Sequence, residues 1–304
     1  MNYTLKKTFY RLGRFIYVLR KNRITMWPAV FSKSRRQILL DSIIFKYDGN
    51  EKYQKEIDFL KEQNDIVIFP YKKTKQMGDV TFGFDTDKSL PYIIHDNRRL
   101  YFTNSWDKER IITVYKDFIE VEGILGGGYS EKTPHQYQTD SFHIKKEDIL
   151  LDVGCAESLF SLAAVDKVKK IYLFEADPIW FNAIEATFEN ELKTGKVVLI
   201  RKYVSDTNTQ NTVTIDSILK NEDYESLFIK MDIEGNEPVV VKSCQNIMKT
   251  DKDIRFSCCT YHRNDDAEIL ESIFKQNGYY TEFSDGYMLF YRDKLIKAPI
   301  SEKG

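Results

Sequence analysis

The sequence predicts an α/β protein: a Rossmann-like, doubly wound, mostly parallel seven-stranded sheet, closed by an antiparallel C-terminal hairpin and preceded by an α+β N-terminal extension. Three observations predict it. From residue 148 onward, short apolar runs alternate with helical stretches, the rhythm of βαβ units. The runs lack clean apolar-polar alternation, as expected of strands covered by helices on both faces. Residues 279–283 and 287–291, joined by Ser284-Asp285-Gly286, read instead as an antiparallel hairpin.

Taken in order, residues 4–22 carry Leu5, Phe9, Leu12, Ile16 and Leu19 on one helical stripe, with Lys7, Arg11, Arg14 and Lys21 on the far side. Pro28 ends the pattern, and a second short helix is expected over 37–45. The period then changes. Residues 65–70, 80–84 and 92–102 read as short strands, the last a hairpin turning at Asp96-Asn97. A helix follows over 107–122, with Ile111, Val114, Tyr115, Phe118 and Ile119 on one face. Gly126-Gly127-Gly128 and Pro134 mark a flexible loop, so a boundary is placed there: 1–130 as an extension, 131–304 as the core. In the core, strands are expected at 149–153, 170–174, 196–200, 227–231 and 254–259, and helices at 158–166, 178–192, 237–248 and 265–276.

Composition excludes several classes. With 42% hydrophobic and 30% charged residues among 304, the chain is not disordered. The net charge of −1 gives no global signal for nucleic acid, and none is expected as a partner. The average hides an asymmetry: residues 1–50 hold eleven Lys/Arg against two acids, whereas the remainder has 34 basic against 44 acidic residues. The basic stripe of 4–22 suits either packing on the core or peripheral contact with anionic lipid. No apolar run is long enough to span a membrane, and no signal peptide is evident. Cys155, Cys244, Cys258 and Cys259 include no Cys-x-x-Cys spacing and read as reduced thiols, so a cytoplasmic location, or the inner face of the membrane, is expected.

The chemistry-bearing residues fall at the carboxyl ends of the predicted strands, where open α/β sheets bind ligands. The first strand ends in Asp152-Val153-Gly154-Cys155-Ala156-Glu157-Ser158. Gly154 allows a tight turn, but Ala156 stands where a pyrophosphate-binding loop has its second glycine, which favours a ligand without phosphates. The second strand ends in Glu175-Ala176-Asp177-Pro178, and a carboxylate 23 residues after Asp152 is spaced to accept the ribose hydroxyls of an adenosine. Asp177 before Pro178 reads as a helix cap. Ser205 and Asp206, after the third strand, are placed to meet an adenine amine or to form a polar turn. The fourth strand carries Lys230 and Asp232 on one face, either as a structural pair or as site groups, then Glu234-Gly235 and Glu237 at a helix N-terminus. The fifth leads to Tyr261-His262.

In their order, Asp152-Val-Gly154, Phe174-Glu175-Ala-Asp-Pro178, Val204-Ser205-Asp206, Thr214-Ile-Asp216, Ile229-Lys230-Met-Asp232-Ile-Glu234-Gly235-Asn-Glu237 and Tyr261-His262 resemble FkbM-type methyltransferases over about residues 137–291. Five β-α units closed by a hairpin are also the layout of class I methyltransferases. The resemblance implies S-adenosylmethionine (SAM) dependent O-methylation of a sugar, glycan or other small-molecule hydroxyl. It places Asp152, Gly154 and Glu175 at the cofactor and Asp232 near the transferred methyl. The departures are Ala156 and Ser158, where many methyltransferases have glycine. Ala156, Ser158, Ala176, Ser205, Asp206 and Tyr137 complete the expected cofactor set. His262 and Asp232 are candidate bases, with Lys230 stabilising charge or orienting Asp232. A divalent metal on Asp232, Glu234 and His262 is a variant that is not favoured. The alternatives are a nicotinamide-dependent oxidoreductase, which expects the full glycine triplet and no hairpin, and a non-catalytic membrane-surface protein using residues 4–22.

Overall fold

The computed structural model describes residues 33–74, 77–131, 134–263, 265–289 and 300–301. The basic stripe of 4–22 lies outside the described residues. Two helices, α1 (Lys33–Tyr47) and α2 (Gln54–Gln63), pack through Leu39, Leu40 and Ile43 against Ile57, Leu60 and Ile66. The sequence reading anticipated α1 but not α2, whose buried residues are few: only Glu56, Ile57 and Leu60. Next come three antiparallel strands, β1 (Phe82–Asp85), β2 (Leu90–His95) and β3 (Arg98–Tyr101). The expected hairpin turns at Asp96-Asn97, both with left-handed backbone (φ 46° and 64°). Asp107 caps α3 (Lys108–Lys116) by accepting the Arg110 N–H at 2.8 Å, and Ile111 and Tyr115 bury its inner face. The chain continues as a π-helical turn over Asp117–Glu122, so the helix expected at 107–122 is present but widens halfway.

The core alternates as expected. It runs through β4 (Asp148–Val153), α4 (Leu159–Ala164), β5 (Lys170–Phe174), α5 (Phe181–Thr187), α6 (Glu189–Thr194) and β6 (Val197–Ile200). A small parallel pair, β7 (Tyr203–Val204) with β8 (Thr212–Val213), precedes α7 (Ile215–Leu219). Then follow β9 (Ser226–Met231), α8 (Glu237–Ser243), α9 (Gln245–Met248), β10 (Asp253–Cys258) and α10 (Asp266–Gln276). The sheet order is β6-β5-β4-β9-β10, all parallel. Side chains alternate across it. Leu150, Phe228 and Ile171 enter one core, which also takes Ile68, Phe69, Phe102 and Ile111 from the preceding segments. Ile149, Leu151, Ile229 and Met231 enter the other, under α8 and α10. Two expected helices are broken: 178–192 starts late and splits at Phe188, and 237–248 splits at Cys244. Each break residue is wholly buried with ψ near 30°.

Five strands, not seven, form the parallel sheet among the described residues. The antiparallel hairpin keeps part of its expected second strand, at Met288–Leu289, but has a different partner. Residues 279–287 carry no strand, and β11 (Met288–Leu289) pairs with β12 (Ile300–Ser301) as a separate two-stranded element. The Leu289 N–H bonds the Ile68 carbonyl at 2.8 Å, which turns this segment toward the N-terminal helices and away from β10. Residues 65–70 are not the expected strand either. Arg36 holds Asp65 at one end (2.7 Å), Pro70 lacks a donor at the other, and Ile66, Ile68 and Phe69 are buried without a strand partner. All four cysteines are free thiols, and no described helix is long and apolar enough to cross a membrane.

Candidate active site

β4 pairs with β5 on one side and β9 on the other, so the strand order reverses at β4 and leaves a crevice at the carboxyl ends there. Gly154 makes the turn out of β4 at φ +79°, and a Cβ there would stand 2.2 Å from the Asp232 carbonyl oxygen. The backbone of the β9 turn therefore lies directly against it. Ala156 (φ 45°) and Ser158 (φ 67°) take left-handed backbone as well. The two residues that replace glycine keep glycine's conformation, at about 1–2 kcal/mol each.

Below the turn, Asp152 faces Lys230 across the β4–β9 ladder. Their charged atoms are 3.0 Å apart, and both side chains are buried. Asp152 Oδ2 also accepts the Ser161 hydroxyl at 2.7 Å, and Lys230 Nζ donates to the Gly154 carbonyl at 2.8 Å. Burial works against the Lys230 charge, but the Asp152 and Asp232 carboxylates outweigh it and hold the ammonium protonated. Lys230 thus pairs with Asp152 across the β4–β9 ladder, and not with Asp232 on its own strand. It ties the carboxylate to the carbonyl of the turn and lies over the Tyr137 ring, 5.0 Å from its centroid.

Glu175, at the end of β5, reaches back to the same turn. Its Oε2 accepts the Ala156 N–H at 2.9 Å, and its Oε1 accepts those of Ala176 and Asp177 at 2.8 and 2.7 Å. Burial raises its pKa, and those N–H groups offset part of the rise. A carboxylate has about four acceptor directions, so capacity for a further donor remains. Asp177 accepts the Ile179 N–H at 3.0 Å in a turn before α5, so it caps a turn and not the helix start expected at Pro178. Ser205 and Asp206 bond each other at 3.3 Å on the surface beyond β7.

The second half of the site centres on Asp232. Tyr137, from the segment before β4, donates its hydroxyl to Asp232 Oδ2 at 2.9 Å. His262 Nε2 is 3.3 Å from Asp232 Oδ1, and His262 Nδ1 is 2.9 Å from Oε1 of the fully buried Glu237. Glu237 Oε1 also accepts the Ile233 N–H at 2.8 Å, at the start of α8. Burial disfavours a charged imidazole, but the two carboxylates prevail and push His262 up to about 10. The arrangement favours a protonated imidazole lying between Asp232 and Glu237. Burial opposes ionisation of Asp232, yet His262 and Lys230 hold its pKa well below the usual carboxylate range.

The set named for the metal variant, Asp232, Glu234 and His262, does not come together. Glu234 is exposed with φ 62°, and Glu237 takes its place near Asp232 and His262. The imidazole lies between the two carboxylates, one on each ring nitrogen, and one ligand atom from each of the three residues lies within 4.8 Å of the others. Two site residues escaped the sequence reading. His135 is buried, its Nε2 2.8 Å from the Tyr261 hydroxyl, and burial keeps it neutral. Glu157, inside the glycine turn, is 6% exposed, and burial pushes its carboxyl up to about 7. Neither stands in a pattern that marks it, because what defines each is burial.

Glu157 yields a pH test. Its folded pKa lies above its ordinary 4.5, so its contribution to stability is complete below that value and is lost as pH rises through about 7. Glu157→Gln is expected to be neutral at pH 5 and stabilising by about 2–3 kcal/mol at pH 8. Urea unfolding at the two pH values checks this; equal wild-type and variant stability at pH 8 refutes it.

No protein family profile matches the chain, and no curated protein matches its sequence. Solved structures do. The methyltransferase FkbM from Methylobacillus flagellatus KT is 20% identical with a TM-score of 0.36, over 51% of this chain and 42% of that one. The chain thus spans less than half the length of that protein. A precorrin-6y C5,15-methyltransferase from Geobacter metallireducens GS-15 is 15% identical with a TM-score of 0.33, over 46% of this chain and 68% of that one. A tRNA (uracil-54, C5)-methyltransferase from Pyrococcus abyssi, solved with S-adenosyl-L-homocysteine, is 14% identical with a TM-score of 0.29, over 66% of this chain and 38% of that one.

Proposed function

We propose that this chain is a methyltransferase that moves a methyl group from SAM to a hydroxyl oxygen of a sugar, glycan or other small molecule. The observation that carries the reading is the joining of Glu175 to the Ala156 N–H at the reversal point of the sheet. It sets a carboxylate at the ribose-type spacing beside a turn that retains one glycine and presents Ala156 and Ser158, unlike a pyrophosphate cradle. The motif order quoted above supports the same conclusion.

When bound, SAM supplies an electrophilic methyl on a sulfonium whose sulfur leaves neutral. The protein's share is alignment and exclusion of water. Asp232, fixed by Tyr137 and His262, offers a carboxylate at the end of β9 to orient an acceptor hydroxyl, and so weak a base receives the proton only as methyl transfer makes it strongly acidic. His262 balances that charge, and Lys230 fixes the turn through Gly154. Calorimetry should show SAM binding and no NAD binding. Glu175→Ala should weaken SAM by about 10- to 100-fold, the loss of a charged hydrogen bond to a ribose hydroxyl, with Glu175→Gln intermediate between wild type and Glu175→Ala. Binding of NAD in place of SAM, or full SAM affinity in Glu175→Ala, defeats the reading.

A further inference from the structure

His135, Asp232 and Cys259 come from three separate segments: the loop before β4, the residue after β9 and the residue after β10. One ligand atom of each lies within 4.8 Å of the others. His135 and Cys259 are both 3% exposed, and the mechanism above uses neither. The Tyr261 hydroxyl, 2.8 Å from His135 Nε2, also hydrogen-bonds the Cys259 sulfur.

The donors differ in kind: an imidazole nitrogen, a sulfur and a carboxylate oxygen. Nitrogen and sulfur donors together select zinc over magnesium or calcium, which take oxygen. Ligand atoms around a tetrahedral zinc stand about 3.3–3.6 Å apart, so no pair here has to close by more than about 1.5 Å. His135 is backed as zinc-binding histidines are. Its Nδ1 faces the Glu122 carboxylate at 3.6 Å, which leaves Nε2 for the ion. That Nε2 meets a neutral hydroxyl, which a cation can displace. His262, in contrast, has a carboxylate at each nitrogen, 3.3 and 2.9 Å away. A metal on Asp232, Glu237 and His262 would have to break one of those charged contacts.

The local charges suit a divalent ion. Lys230 and His262 have Asp152 and Glu237 beside them, at 3.0 and 2.9 Å, so Asp232 and a Cys259 thiolate remain to balance two positive charges. A carboxylate has about four acceptor directions. Tyr137 and His262 take one on each oxygen of Asp232, zinc would take a third, and one is left for an acceptor hydroxyl. A cavity of about 240 Å³ has both His135 and Cys259 in its lining, so ions and water can reach the set from solvent.

We propose that His135, Asp232 and Cys259 form a zinc site, with His135 bound through Nε2 and a water in the fourth position. The Cys259 thiol gives its proton to solvent as the Zn–S bond forms. The ion ties the loop before β4 to the ends of β9 and β10. The site does not rest on the methyltransferase reading.

Cobalt(II), which enters zinc sites and absorbs light there, is the probe. Titrated into the full chain, reduced and stripped with a chelator, it should produce a thiolate-to-cobalt charge-transfer band in the near ultraviolet, and zinc should erase it. Cys259→Ser should abolish the band. Cys258→Ser, whose side chain lies on the other face of β10, should leave it intact. The two changes are nearly isosteric, and circular dichroism verifies that both variants fold. Glu122→Gln should weaken cobalt binding by about tenfold. Zinc should raise the melting temperature of the wild type and of Cys258→Ser but not of Cys259→Ser. No charge-transfer band in the wild type, or one that survives in Cys259→Ser, overturns the site. Cobalt binding without the band, lost in Glu237→Gln, moves the ion to Asp232, Glu237 and His262 and overturns it too. A protein that shows the band but takes up no SAM keeps the zinc site and loses only the reading proposed above.

Discussion

Lys230→Met is expected to destabilise the protein by about 3–5 kcal/mol, because it leaves a buried carboxylate without its cation. Asp152 is 1% exposed and has only Ser161 as a remaining neutral partner. The loss extends beyond the pair. Lys230 also holds the Gly154 carbonyl and contributes to keeping Asp232 ionised, so the turn and the candidate base lose support together. Adding Asp152→Asn to Lys230→Met should recover a large part of the stability, since the uncompensated charge is then gone, while SAM affinity stays low. Chemical denaturation of the two single variants and the double variant gives the coupling directly. A loss under about 1 kcal/mol in Lys230→Met would mean that water reaches the pair, contrary to the burial described.

Gly154→Ala is expected to cost about 3–5 kcal/mol and to abolish SAM binding. Two penalties add. The backbone sits at φ +79°, and the new Cβ meets the Asp232 carbonyl oxygen at 2.2 Å and the Ile233 Cγ2 at 2.9 Å. The nearer obstacle is backbone, so it cannot rotate aside. Gly195 gives the internal control: its φ is +76°, but nothing lies within 4 Å of its Cβ position. Gly195→Ala should therefore cost only the conformational share, about 1 kcal/mol, and leave ligand binding intact. Thermal unfolding of the two variants separates the clash from the torsion. Equal losses would mean that the β4 and β9 turns do not touch.

The parallel core was legible because its strands are short apolar runs with sharp ends; Lys170–Phe174 matches the expected strand at both limits. Gly154, Glu175, Asp232 and His262 were legible for a related reason, since strand ends in an alternating α/β pattern converge at one edge of the sheet. Their partners were not. Tyr137 and Asp232 are 95 residues apart, and His135 and Tyr261 are 126 apart, so nothing local links them. His262 was legible as a strand-end residue, but only the fold reveals carboxylates on both of its nitrogens. The first strand of the closing hairpin, 279–283, is absent where the pattern is degenerate. Tyr279, Tyr280 and Phe283 are aromatic enough for a strand and equally suited to walling a cavity.

Ala156 and Ser158 carry a consequence for how the site meets its ligand. Glycine at these positions would leave the turn many conformers, and a ligand would have to freeze them on arrival. A methyl and a hydroxymethyl group remove most of those conformers, and the Glu175 carboxylate pins the Ala156 amide in the structure as it stands. The ordering entropy is charged to folding, not to association, so the crevice is preorganised before its ligand arrives.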